Sequence, residues 1–212
     1  MRTRFILLAG LSAAAALIAG QASAAILLSD NFDAGSPHGD QLNWTGDATF
    51  NVTNAPASVD LIGAGGSFDF LPGHGGYLDL DGSSGSGHAI AGEITSVLSF
   101  GPGTYTLTFD LAGNQRGAAA QSTTVTLGDF SQTFGPLDSS VGFTTQTLNF
   151  TTTTAGHLVF TEHGPSDQQG NLLDNITLAG GIPEPATWAM MVIGFGGMGG
   201  ILRYRRRQLA LA

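Results

Sequence analysis

Asp79 and Asp81 are the pair in this chain best spaced for acid–base or metal chemistry. If residues 77–80 form a strand, side chains two apart share one face at roughly 7 Å. Carboxylates at that separation can hold a metal ion or act as the acid and base of a glycoside hydrolase. The competing reading is a solvated strand end before Gly82. Asp79-Leu80-Asp81-Gly82 lacks the downstream spacing and glutamate of an EF-hand loop. Glu162 and His163 are a second acid–base candidate, but neighbours on a strand face opposite ways. The histidines at 38, 74, 88, 157 and 163 mostly adjoin glycine and fall in no H-E-x-x-H pattern. No G-x-S-x-G elbow is present, and no glycine-rich run is followed by Lys-Ser/Thr. The chain has no cysteine, which excludes cysteine nucleophiles and zinc–thiolate sites.

Aromatic rings offer a different chemistry. A flat ring packs on a pyranose face while polar neighbours bind its hydroxyls. Trp44, flanked by Asn43, Thr45 and Asp47, is the first candidate for such a platform and Tyr77 the second. Core burial is the alternative for both. Charge narrows the partner further. The chain has seven arginines and no lysine, and only Arg116 lies between the two ends. Fifteen of the sixteen acids fall within residues 25–181, leaving that stretch at −14 (one arginine against fifteen acids). Nucleic acid, which is bound by releasing phosphate counterions to cationic side chains, is therefore not an expected partner. Divalent cations and neutral or cationic glycans suit such a surface better.

These residues must be placed by what lies around them. Residues 1–24 read as a signal peptide: Arg2 and Arg4, an apolar run over 5–20, and an A-x-A site at Ala22-Ser23-Ala24. Near the other end, Pro183-Glu184-Pro185 precedes 17 uncharged residues, 186–202. At 1.5 Å per residue these span roughly 26 Å as a helix, the short limit for a bilayer. Trp188 stands at the interfacial position, and Arg203, Arg205, Arg206 and Arg207 follow directly. Arginines beside a membrane segment stay cytoplasmic, and the signal peptide sends the preceding domain outside, so both rules give one topology. Gly196 and Gly200 form a GxxxG, read either as a helix-dimer face or as simple tolerance of glycine. The prolines favour an extended backbone around Glu184.

Residues 182–207 resemble the PEP-CTERM sorting signal, with Pro-Glu-Pro, an apolar glycine-rich run and an arginine cluster in that order. The resemblance implies recognition by an exosortase and cleavage near residues 183–185. It also implies a Gram-negative bacterium that makes extracellular polysaccharide. The chain is then exported, held as an inner-membrane intermediate, and delivered to the cell surface or matrix. Residues 208–212 follow the arginines, where such tails often stop.

Between the ends, residues 25–181 suit one domain. Tyr105, Leu107, Phe109 and Leu111 alternate with Thr104, Thr106, Thr108 and Asp110, the period of a half-buried strand. Similar runs cover 49–53, 67–71, 77–80, 90–100, 123–127, 147–150, 158–162 and 172–178. Gly-Pro steps at 101–103, 135–136 and 164–165 read as turns. Short strands at this spacing predict an all-β sandwich or jelly roll. Asn31-Phe32-Asp33, residues 103–114 and residues 172–178 resemble the galactose-binding-like jelly roll of carbohydrate-binding modules. The resemblance implies a structural calcium shared by the first and last strands, with Asp33 and Asp174 as ligands; the family usually has Glu where Asp33 stands. The expected function is a non-enzymatic surface or matrix protein that binds polysaccharide. The alternatives are a secreted carbohydrate-active enzyme, a glycoside hydrolase or lyase, and a surface-layer component without a glycan ligand.

Overall fold

The computed structural model describes residues 24–35, 39–83, 91–180 and Gly194. One compact unit spans Ala24–Ile182. Its strands are β1 (Ala25–Asp30), β2 (Gln41–Trp44), β3 (Phe50–Thr53), β4 (Val59–Ile62), β5 (Tyr77–Asp79), β6 (Glu93–Phe100), β7 (Gly103–Ala112), β8 (Gln121–Leu127), β9 (Phe130–Leu137), β10 (Thr144–Thr152), β11 (Gly156–His163) and β12 (Leu172–Gly180). They form two antiparallel sheets. The larger runs β10-β7-β12-β5-β4-β2, and the smaller runs β3-β6-β11-β8-β9. In the larger sheet β12 is shared along one side: its start pairs with β5 (Leu172↔Asp79) and its end with β1 (Ala25↔Gly180). The chain crosses repeatedly from one sheet to the other, which makes the domain a jelly-roll β-sandwich.

The period-two runs fix the inner faces. Leu107, Phe109 and Leu111 of β7, Val125 and Leu127 of β8, Leu158 and Phe160 of β11 and Ile176 and Leu178 of β12 are fully buried in one core. Phe160 meets Phe50 and Phe109 edge to face, at centroid distances of 6.5 and 5.2 Å, the preferred geometry for aromatic quadrupoles. Phe160→Ala removes that junction and is expected to cost about 3–5 kcal/mol. Urea unfolding monitored by circular dichroism checks this; a loss below about 1 kcal/mol would mean that the cavity collapses.

Several expected elements differ. Residues 67–71 alternate like a strand but pair with nothing and belong to the connection from β4 to β5. Gly135-Pro136 is not a turn; it lies inside β9, the exposed edge of the smaller sheet, where proline's missing N–H costs no ladder bond. Two strands escape the alternation rule for identifiable reasons. All four residues of β4 are buried, so no period shows. In β1 a bulge between Ile26 and Leu28 breaks the period.

The outer face of the larger sheet has its own small apolar cluster. Ile62, Tyr77, Ala112 and Leu172 are buried there beneath Leu71 and Phe143. The β4–β5 connection folds over this face, and that covering decides what the site can be.

Candidate functional site

Tyr77 points out of the larger sheet into the β4–β5 connection. It is fully buried. Its hydroxyl accepts N–H bonds from Phe70 (2.8 Å) and Leu71 (3.2 Å) and donates to the Asp69 carboxylate (3.2 Å). Burial pushes the phenol well above its ordinary pKa, so it stays a hydroxyl at any physiological pH. Tyr77 is therefore a strut and not the sugar platform expected of it. Trp44 is largely buried: it is 7% exposed and packs edge-on against Phe32 at 6.1 Å, with its remaining surface in a cleft of about 330 Å³ beside Asn43, Thr45 and Val52.

What the strut holds out is aromatic. Phe68 and Phe70 are each 37% exposed, with ring centroids 6.3 Å apart. The Arg116 guanidinium lies 5.2 Å from the centre of the Phe70 ring, a cation–π contact, and also pairs with Asp79. Sequence reading missed Phe68 and Phe70 because their alternation with Asp69 imitates a strand. The available signal was the glycine on both sides, at 65–66 and 73, 75 and 76, which marks a loop.

The carboxylates expected to pair for catalysis serve the loops instead. Asp79 is 2% exposed; its Oδ1 accepts N–H bonds from Asp81 (3.0 Å) and Gly170 (2.8 Å), and Oδ2 meets Arg116. Burial outweighs the arginine and pushes its pKa up to about 7. Asp81 lies past the end of β5, and its Oδ2 accepts the N–H groups of Asp167 (2.7 Å) and Gln168 (2.8 Å). The two do not face a common cleft as a pair; both organise the β11–β12 connection. Glu162 and His163 take opposite faces, as expected. Glu162 is buried, accepts the Thr123 hydroxyl at 2.7 Å, and is pushed up to about 8 by desolvation. His163 is exposed beside Thr124, 2.8 Å away.

Asp33 lies near enough to Asp174 to act on its charge. Asp174 is fully buried, opposite Asp110 on β7. Burial, then repulsion from Asp110, Asp33 and Asp30, pushes it up to about 7. The donor chemistry, all oxygen and rich in carboxylate, is that of a calcium site. Yet Asp33 already accepts Gly76 N–H at 2.7 Å and the Asn31 amide at 2.6 Å. Among the described residues no three acids or histidines converge on one point. Beside these aspartates, Asp30, Asn31, Asp47, Thr49 and Asn175 line an acidic cleft of about 790 Å³.

Residues 181–207 match the PEP-CTERM protein-sorting motif. The chain carries a PEP-CTERM sorting signal. Pro183, Glu184, Pro185, Trp188, Arg203, Arg205, Arg206 and Arg207 all fall within the match. The PEP-CTERM residues, the expected helix 186–202 and the expected signal peptide lie outside the described residues, apart from Gly194 and Ala24. Among the described residues no helix is long and apolar enough to cross a membrane. No curated protein matches the chain. Among solved structures it is similar to the CBM22-1 xylan-binding domain of Paenibacillus barcinonensis Xyn10C (14% identity, 78% of this chain and 100% of that one, TM-score 0.41). It is similar too to the C-terminal CBM6 of a marine laminarinase, LamC, from Zobellia galactanivorans (9% identity, 66% and 97%, TM-score 0.38). A third is the K3 cleaved adhesin domain of Lys-gingipain from Porphyromonas gingivalis (12% identity, 73% and 98%, TM-score 0.42).

Proposed function

We propose that this PEP-CTERM chain is a non-enzymatic surface protein of a Gram-negative bacterium, sorted by an exosortase, whose sandwich binds extracellular polysaccharide at Phe68 and Phe70. The observation that carries the glycan reading is the pair of exposed rings fixed by a buried tyrosine. Rings ordered before binding lose little entropy on contact, so their apolar faces convert into affinity. Asp69 and Arg116, beside the rings, are polar groups that can bind hydroxyls. The membrane holds the chain as an intermediate through residues 186–202, and the surface or matrix receives it after cleavage near residues 183–185.

The test mixes purified residues 25–181 with extracellular polysaccharide from the producing organism and records bound protein and released sugar. Binding without release supports the reading. Sugar release would replace it with a carbohydrate-active enzyme, and neither would leave a surface-layer component.

Calcium is the cofactor of this reading. A divalent ion near Asp33 and Asp174 would relieve the repulsion that Asp110, Asp33 and Asp30 exert on Asp174, and the one arginine among the described residues, Arg116, is paired elsewhere. Calcium at a hundredfold excess over its dissociation constant would stabilise the domain by about 2.7 kcal/mol. Thermal melting with calcium and with chelator should show a gap of several degrees that Asp174→Asn closes. An identical midpoint in both buffers would remove calcium from the account.

A further inference from the structure

The end of the sandwich that carries Gly180 exposes apolar side chains, beside the acidic cleft lined by Asp30 and Asp47. Ile26 is 68% exposed, Leu27 40%, Val97 44% and Leu98 57%. Two ladder irregularities put them there: the bulge in β1, and a register shift in the β6–β11 pairing opposite Ser96–Leu98. Leu27 and Leu98 line one cleft of about 220 Å³ with Ala48 and Thr49. The departing strand runs against this patch: a Cβ at Gly180 would lie 2.6 Å from the Leu27 side chain. The domain is strongly acidic, yet residues 24–29, 94–109 and 175–183 contain no charged residue. Asp129, in the β8–β9 turn, has its carboxylate held by the hydroxyls of Thr152 and Thr153.

Chain length limits how far this end can sit from a bilayer. Five residues separate Gly180 from Ala186, where the uncharged run begins. Six extended steps span at most about 20 Å. We propose that this apolar patch faces the membrane in the uncleaved chain, and that a phospholipid surface covers Ile26, Leu27, Val97 and Leu98 while the tail is in place. This rests on the membrane reading of residues 186–202. The patch alone is a weak, reversible anchor, as single membrane signals are. Such an anchor lets the domain leave once the tail is cleaved.

The chain has no native cysteine, so one introduced thiol reports one position. Full-length Ser99→Cys, labelled with a polarity-sensitive dye, is reconstituted into phosphatidylcholine vesicles with brominated acyl chains. Ala119→Cys, in the loop beyond the far end of β7, is the control; ten residues of strand at ~3.3 Å put it some 30 Å away. The dye at 99 should be quenched at least twofold more than the dye at 119. Adding Leu27→Ser and Leu98→Ser should abolish the difference without preventing flotation with the vesicles. Flotation with equal quenching at both positions overturns the patch and spares the membrane tail. Failure to float overturns both. A dye response that follows protein concentration in detergent, without lipid, would mean a second copy covers the face and also overturns the proposal.

Discussion

Replacing Phe68 and Phe70 together by alanine should reduce polysaccharide binding by at least a hundredfold. Each ring keeps about a third of its surface exposed for a ligand. Loss of one anchoring aromatic in a contact patch costs on the order of 2 kcal/mol, more than tenfold in affinity. Both rings are partly buried and Phe70 meets Arg116, so the double truncation should also cost on the order of 2–4 kcal/mol of stability, and binding is compared under conditions where the variant is folded. Tyr77→Phe separates presentation from contact. It leaves both rings in place but deprives the Phe70 and Leu71 N–H groups of their acceptor and Asp69 of a donor. Affinity should fall by severalfold, because the rings must then be ordered on binding. Affinity gel electrophoresis in the polysaccharide measures all three variants. Unchanged retardation of the double alanine variant would place the glycan elsewhere, with the acidic cleft beside Asp30 and Asp47 next to be tested.

The second large effect is on stability. In chelator, the sandwich should lose several kcal/mol between pH 5 and pH 8. Asp79 and Asp174 titrate at about 7 and Glu162 at about 8 in the folded chain, against ordinary values of 3.8, 3.8 and 4.5. Burial is the largest cause for each. Between the two sets of values the folded state holds protons that the unfolded state has released. Stability therefore falls as pH rises through that window and levels off above the folded pKa values. At about 2–4 °C per kcal/mol for a domain of this size, the midpoint should drop by roughly 10 °C.

Glu162→Gln isolates the upper part of this profile. A neutral amide retains an acceptor for the Thr123 hydroxyl and does not ionise. It also supplies a donor in a region where buried Asn171 Oδ1 and Gln121 Oε1 have no hydrogen-bond partner. The variant should match the parent at pH 5 and exceed it at pH 8. A parent whose melting point does not change from pH 5 to pH 8 would contradict the buried-acid reading of all three groups.

Two kinds of information were legible without a structure. The sorting signal is read by its order along the chain, since Pro-Glu-Pro, an uncharged run and arginines need no folding to be recognised. Strands β7, β8 and β11 were legible because their hydrophobic alternation records a sheet with one face in the core. The fold class follows from such strands and the turns between them. The charge imbalance, and with it the exclusion of nucleic acid as a partner, is composition alone.

Exposure was not legible, because it depends on which distant segment covers a face. Tyr77 occupies the outer side of a sheet, where alternation predicts solvent, and is buried by a loop that starts fifteen residues upstream, after Ile62. Phe68 and Phe70 repeat every second residue, but a strand exists only where a neighbour completes its hydrogen bonds, and none is there. Asp79 and Asp81 have the spacing of a catalytic pair, yet Arg116 and the backbone of residues 167–170 engage their oxygens. The order of residues along the chain was enough to show the sorting signal and the β-sandwich class of the domain. Tertiary structure decided which rings can meet a ligand and which carboxylates keep their protons, because both depend on solvent access, which contacts between residues far apart in the chain create.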